Sequence, residues 1–416
     1  MLERTSLIRG IYRSLIQQGR AYAAFDPKRV GPLIDKLGQH EIIFDPMSGY
    51  GGLITLCAKA KTLKSAYCIE YNPPAYLWQI LINPCHAEKM LTIIDHISKV
   101  RRKWPVMNRR ATISEEWFPN ESLQLLVELF SLTQKAATSA ATNKKDVEEL
   151  TLAFLLPFVG RFSTCVPGSV VHVKKGGICV YSGWDTDFAA YIATLRKMLE
   201  SRYNSTLNYK HQSILADCKS VKLSQKFSSM LTSPPYPNAI DYYSLFAPEN
   251  AFLEHLNMEN ILNGFTINER LIGNPCVSVP AGSRKNTPDD VKSKTARDFL
   301  DFVASYKGTK RQVADIKTYY LPSLSKYFYE LELAYANVAF FLEKRFEGYI
   351  IVVNNSYRKR IIPLAETVID IWRSLGFEAE IVPEHTREQA HVGGMNPKVK
   401  GLTARHVEYT IRVYRQ

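Results

Sequence analysis

The chain has 416 residues, 46% hydrophobic and 22% charged, which is enough apolar material for one large α/β domain with an elaboration or for two domains. A net charge of +13 favours polyanionic partners, and with no run of about 18 apolar residues to span a membrane, nucleic acid ranks ahead of an anionic lipid surface. The 7 cysteines are scattered without a C-x-x-C pair and Met1 to Thr5 lacks the apolar core of a signal peptide, which argues against a disulfide framework, a structural zinc and secretion, and for reduced thiols in a cytoplasm.

Residues 5–24 mix Leu, Ile, Tyr and Ala with Arg and Gln at helical spacing. After Phe25 and Asp26, Pro27 opens a predicted helix whose apolar face is Val30, Leu33, Ile34 and Leu37, ending at Gly38. The apolar Ile42-Ile43-Phe44 reads as a strand running into Asp45-Pro46-Met47-Ser48-Gly49-Tyr50-Gly51-Gly52, with helix-forming Leu53 to Lys61 behind it. Strand, glycine-rich turn and helix is the arrangement in which backbone N–H groups and a helix N-terminus face a ligand. Asp45 at the strand end can accept from a cationic or hydroxyl-bearing group. Ser65 to Ile69 reads as a second strand ending in Glu70. A carboxylate about 20 residues past a glycine turn is where ribose hydroxyls are held in Rossmann-like sites; the alternative for Glu70 is a solvated strand end.

From Asn72 to about Lys210 lies a long interval with basic Arg101-Arg102-Lys103-Trp104, aromatic Trp117-Phe118 and an apolar helix candidate from Val147 to Val159. It reads as a helical subdomain packed on itself, with Trp104 and Trp117 buried rather than on nucleic acid. Residues 170–173 and 177–181 suggest a short hairpin, with His172 structural because no ligand partner accompanies it, and Leu195 to Tyr203 suggests a helix. Ser213 to Asp217 reads as a strand ending in an acid. The apolar run Ser229 to Leu231 then stops at Thr232-Ser233-Pro234-Pro235-Tyr236. Two prolines cannot donate to a ladder and fix their own φ, so the chain leaves the sheet in a stiff bracket. The bracket offers the Ser233 hydroxyl, the Ser233 and Pro234 carbonyls and the face of Tyr236, which suit a planar ring bearing an amine; a plain turn after a buried strand is the alternative. Asn238 to Tyr243 continues towards a helix with Asp241 as its cap.

Residues 264–318 are the most loop-like, and Arg284, Lys285, Lys310 and Arg311 stand there beside turn-forming Gly and Pro as candidate phosphate contacts. The spacing over Tyr319 to Arg345 predicts a helix, Tyr349 to Val353 a buried strand, and Leu364 to Leu375 a helix stopped by Gly376. Residues 377–382 and 407–413 alternate as strands do, with basic 383–406, including His391 and Lys398, between them.

Asp45 to Gly52 and Thr232 to Tyr236 together resemble the cofactor and catalytic motifs of the amino-group DNA methyltransferases, which use S-adenosyl-L-methionine. The first motif usually reads D-P-F-x-G-S-G-T, from which Met47, Tyr50 and Gly52 depart; the Ser form of the second is the one more usual for cytosine N4 than for adenine N6. The order of elements after residue 319 also resembles the closing half of that family's sheet with its antiparallel hairpin. The resemblance covers about 25–85 and 210–416 and implies an α/β fold: a Rossmann-like class I methyltransferase sheet with helices on both faces, a mostly helical insertion and a basic, loop-rich DNA-binding elaboration. The segments would be 1–85 (N-terminal helix and first half of the cofactor-binding sheet), 86–209 (insertion), 210–263 (catalytic part), 264–318 (target recognition) and 319–416 (closing half). It implies Ser233, Pro234, Pro235 and Tyr236 as catalytic. Phe25, Asp45, Pro46, Ser48, Gly49, Gly51, Glu70, Asp217 and Thr232 would bind the cofactor, Asp217 through the adenine. No metal is expected. The implied activity is methylation of N4 of a flipped cytosine in double-stranded DNA, in a restriction-modification or defence setting in a prokaryotic cytoplasm, with a separate restriction endonuclease as companion. Adenine N6 methylation, RNA amino-methylation and a non-catalytic nucleic-acid-binding module are the alternatives.

Overall fold

The fold comes from a computed structural model that describes residues 27–38, 40, 42–53, 65–100, 118, 120–163, 184–203, 210–237, 246–258, 261, 272, 287–357, 360–389 and 406–416. Phe25, Arg284, Lys285, His391 and Lys398 lie outside the described residues, as do 5–24, 54–61, 101–104, Trp117, 170–181 and 238–243.

Helix α1 (Pro27–Leu37) buries Val30, Leu33, Ile34 and Leu37, its i, i+3, i+4, i+7 stripe. The stripe rests on the sheet built from β1 (Ile42–Asp45), β2 (Ser65–Glu70), β3 (Lys210–Leu215), β4 (Phe227–Thr232) and β5 (Leu342–Asn354). A small hairpin, β6 (Ser356–Tyr357) and β7 (Arg360–Ile361), follows, and β8 (Glu378–Ile381), β9 (Arg387–Gln389) and β10 (His406–Arg415) complete the strands among the described residues. The sheet runs β3-β2-β1-β4-β5-β10-β8. Its first five strands are mutually parallel, and β10 is antiparallel to β5 and β8, with β9 also pairing to β10. This mostly parallel sheet flanked by helices is compatible with a Rossmann-like fold.

Helices α2 (Pro73–Ile82), α3 (Ala87–Val100), α4 (Asn120–Ala137), α5 (Lys144–Phe162), α6 (Trp184–Tyr203) and α7 (Ala247–His255) share one core beside the β2–β3 side of the sheet. Helices α8 (Lys294–Ala304), α9 (Lys310–Asp315), α10 (Leu321–Ala339) and α11 (Leu364–Ser374) complete the set. Strand alternation assigns the faces. Phe44, Met230, Ile350, Val352, Ile411 and Val413 join the core of α8, α10 and α11, whereas Ile43, Leu231, Tyr349 and Ile351 meet α1. Among the described residues no helix is long and apolar enough to cross a membrane.

Three expected boundaries change. The helix predicted through Arg345 ends at Ala339, because Phe341 already gives its carbonyl to Phe227 N (2.8 Å) and Leu342 enters β5. Part of the loop-like 264–318 is helical: Ser293 caps α8 by accepting from Ala296 N, and Ala296, Phe299, Leu300 and Val303 form a buried face. Helix α6 begins at Trp184, well ahead of Leu195, since Phe188 and Tyr191 pack into the helical core. The stop at Gly376 is as expected, with φ of 83° and Phe377 N donating to Trp372 O (3.1 Å) in a Schellman closure.

Phe227 on β4 stacks on Phe44 of β1 (4.1 Å between centroids, 8° between planes) and tilts against Tyr67 of β2 (5.0 Å). The Phe227→Ala substitution is expected to cost about 3–5 kcal/mol, read as a lowered urea midpoint.

Candidate functional site

The strand order turns at β1 and β4: from β1 the chain builds outward through β2 to β3, and from β4 through β5. A crevice beyond the carboxyl ends of the strands at such a point is where open α/β sheets take ligands. Asp45 ends β1 and is 1% exposed. Its Oδ1 accepts from Thr232 Oγ1 at the end of β4 (2.7 Å) and from Met47 N (3.2 Å). Burial pushes this carboxyl up to about 7, against the pull of those two hydrogen bonds.

The glycine turn follows directly. Gly49 (φ 53°) and Gly51 (φ 75°) take the left-handed conformations that other residues resist, and Gly51 N closes on Ser48 O (2.9 Å). Ser48 donates from both N (3.1 Å) and Oγ (2.8 Å) to Ile69 O of β2. Gln79 of α2, fully buried, braces the turn from behind: its Nε2 donates to Ser48 Oγ (2.7 Å) and Gly49 O (2.6 Å). Because Gly49 O can only accept, the amide orientation is fixed. Its Oε1 accepts from Ser213 Oγ (2.8 Å) on β3, and with its one hydrogen so used the Ser213 hydroxyl accepts from His211 Nε2 (2.8 Å). Burial lowers the His211 pKa to about 3, so the ring is neutral. The relay thus runs in one direction from β3 to the turn.

Glu70 ends β2, and its Oε1 accepts from Asn72 N (2.7 Å). Burial pushes Glu70 up to about 7, opposed by the amides of Asn72, Gly49 and Tyr71 and reinforced by the charge of Asp45. Ala216 N donates to Glu70 O (2.9 Å), which brings Asp217 to the same edge two residues past β3. Asp217 Oδ1 accepts from Lys219 N (2.9 Å). Lys219 Nζ lies 3.6 Å from Asp217 Oδ2 and 3.3 Å from Glu330 Oε1 on α10, so a cation stands between two acids.

No protein-family model matches the chain, and no curated protein does. The site therefore rests on its own geometry.

After β4 the bracket turns away from the sheet. Ser233 Oγ is 3.4 Å from Tyr236 Oη, and Tyr327 Oη of α10 donates to Pro235 O (2.8 Å). Tyr236 is 3% exposed and belongs to the core that α8 and α10 build against the sheet, so its ring face is covered rather than open at the sheet end. The structure therefore gathers Asp45, Pro46, Ser48, Gly49, Gly51, Glu70, Asp217 and Thr232 to Tyr236 around one edge, while Lys310 and Arg311 are exposed on α9. Gln79, Lys219, Tyr327 and Glu330 join this constellation without having been singled out in the sequence. For Gln79 the signal was an amide inside the otherwise apolar and aromatic run Pro73 to Ile82.

Two outcomes follow from the buried polar groups. Gln79→Leu removes three hydrogen bonds, to Ser48 Oγ, Gly49 O and Ser213 Oγ, each worth about 0.5–1.5 kcal/mol, while Ser48 keeps Ile69 O and Ser213 keeps His211; it is expected to lower the urea midpoint and speed amide exchange in the glycine turn. Asp45 and Glu70 hold protons in the folded chain that the unfolded chain releases from about pH 4, so their contribution to stability is greatest in acid and is lost as pH rises through about 7. Asp45→Asn keeps an acceptor for Thr232 and Met47 and removes the charge; thermal scans should show a higher melting temperature at about pH 8 and a shallower fall between about pH 4 and 7.

Proposed function

We propose that the chain is an S-adenosyl-L-methionine-dependent DNA methyltransferase acting on the N4 amine of cytosine. One observation carries the proposal: the glycine turn and the Ser233-Pro234-Pro235-Tyr236 bracket leave adjacent parallel strands at the switch point, tied by the 2.7 Å hydrogen bond from Thr232 to Asp45. The acceptors at this edge fit the cofactor's chemistry, because carboxylates at the ends of β1, β2 and just past β3 can receive an ammonium, ribose hydroxyls and an adenine amine. When bound, the cofactor supplies a methyl group on a positively charged sulfur.

In this mechanism Glu70 would accept from the ribose hydroxyls and Asp217 from the adenine amine, and the glycine turn held by Gln79 would offer its backbone to the methionine part. The exocyclic amine of cytosine is a poor nucleophile because its lone pair is conjugated with the ring. The Ser233 hydroxyl and the Pro234 carbonyl accept its two hydrogens and favour a pyramidal nitrogen with its lone pair free for the methyl. Tyr236 moves out of the core to stack on the base, and the released proton passes to solvent. A base in a duplex reaches this bracket only after flipping, at a cost of a few kcal/mol. Double-stranded DNA is thus the proposed partner, with a separate restriction endonuclease completing a restriction-modification pair.

The test is transfer of a tritiated methyl group from S-adenosyl-L-methionine to DNA, followed by digestion to nucleosides and mass identification. N4-methylcytosine is expected, with Tyr236→Ala and Ser233→Ala each lowering the rate at least ~10-fold. N6-methyladenine would move the acceptor to adenine. No transfer together with no calorimetric cofactor binding would overturn the enzymatic reading in favour of a nucleic-acid-binding module.

A further inference from the structure

Beyond the bracket, the β6–β7 hairpin that follows β5 meets α8 and the helical turn ahead of α10. Helix α9 runs without a break into a π-helical turn, Ile316–Tyr320, closed by Leu321 N donating to Ile316 O, and then into α10. Tyr320 of this turn packs edge-on against Tyr319 (5.0 Å) and tilts against Tyr357 of the β6–β7 hairpin (4.9 Å); all three rings are half-buried. Across the hairpin, Arg360 lies over the ring of Phe302 on α8 (4.2 Å). Arg360 is the register partner of Tyr357 in the hairpin, Arg311 of α9 and Lys317 of the π turn are exposed along the same short run of helix as Tyr319 and Tyr320, and Asp315 is the sole carboxylate in the segment 306–320.

We infer that this tyrosine cluster and its cations form a platform for an unpaired nucleic-acid strand. A stacked duplex hides its base faces and offers phosphates alone, whereas an unpaired strand offers both, and sequence-tolerant binding of such strands uses aromatic stacking beside cations that track the backbone. A surface of charge without rings would suit duplex phosphates, and rings without charge would suit an apolar partner. π-helical turns are uncommon and recur at functional sites, and this one delivers two adjacent tyrosines to a basic surface. The platform also connects to the candidate site. Tyr327, which holds Pro235, is seven residues past Tyr320 on the same helix, or about 10 Å along its axis. An unpaired strand held with one base at the bracket would have its neighbouring nucleotides within reach of the rings. The inference rests on the nucleic-acid reading above for its partner class and not on methyl transfer.

Fluorescence anisotropy with the full chain tests it, using labelled oligo-dT and oligo-U of about 12 nucleotides and a duplex of the same length, without cofactor. Tyr320→Ala is expected to weaken oligonucleotide binding at least ~5-fold while weakening duplex binding less. The double substitution Arg311→Glu with Lys317→Glu, which touches exposed side chains only, should weaken it further and flatten the salt dependence. Preference for oligo-dT or oligo-U identifies the polymer. Wild-type affinity in Tyr320→Ala, equal proportional losses for strand and duplex, or full competition by polyglutamate would overturn the platform. Calorimetry with S-adenosyl-L-methionine is run on the same proteins. Strand binding without cofactor binding would sink the methyltransferase reading and leave the platform standing, and the reverse result would do the opposite.

Discussion

The carboxyl of Asp45 is the constraint around which the functional edge is arranged. A group that is 1% exposed must spend its lone pairs inside the protein, and it does so on the hydroxyl of Thr232 and the amide of Met47. At the other end of the same strand pair, Ser229 Oγ donates to Ile42 O (2.7 Å). Two hydroxyls of β4 therefore pin β1 at both ends, where the ladder alone would leave the register to a short stretch of backbone pairing. Sliding β4 by one residue would turn both hydroxyls away and leave the buried Asp45 carboxyl with the amide of Met47 alone. The glycine turn and the proline bracket inherit their separation from this lock.

The helical half acts on the same edge from behind. Helix α2 is buried along its whole length and serves as a wall shared by the sheet and the helical core. Tyr76 donates outward to Glu149 of α5 (2.9 Å), while Gln79, three residues on, reaches the glycine turn. The core behind it is dense in rings, with Phe154, Phe158, Phe188 and Tyr191 in mutual contact and Tyr191 Oη donating to Phe154 O (2.5 Å). A rigid backing keeps the backbone of the turn in place, which a turn rich in glycine could not do by itself.

Local chemistry made most of the sheet legible. Short apolar runs closed by an acid marked β1 and β2, the proline pair marked the exit of β4, and Gly376 marked the end of α11. What stayed hidden depends on residues far apart in the chain. Gln79 finds Ser213 across 134 positions and Lys219 finds Glu330 across 111, and nothing in either neighbourhood announces the other. The cover over Tyr236 comes from α8 and α10, so its burial could not be read from the bracket. At residues 340–342 the apolar spacing is equally compatible with one more helical turn and with a strand; pairing of Phe341 with Phe227 decides it. Amphipathic α8 was masked by its surroundings of Gly, Pro, Lys and Ser, although its own stripe of Phe299, Leu300 and Val303 is regular.

The π turn before α10 also sets how this region tolerates changes in length. It holds an additional residue compared with the α-helical turn it replaces, so loss of a single residue there would restore ordinary helical winding at nearly the same phase, whereas loss of one residue from α10 ahead of Tyr327 would rotate everything upstream by about 100°. Downstream, α10 is held by Tyr327 on Pro235 and by Glu332, whose carboxylate receives the amides of Lys292 and Ser293. The rotation would therefore fall on the π turn and α9, turning Tyr320 away from Tyr357 while the bracket kept its shape. Tyr320 and Tyr357 are thus kept in phase by the length of α10 between Leu321 and Tyr327, and the π turn is the place where a residue could be lost at little cost to that phase.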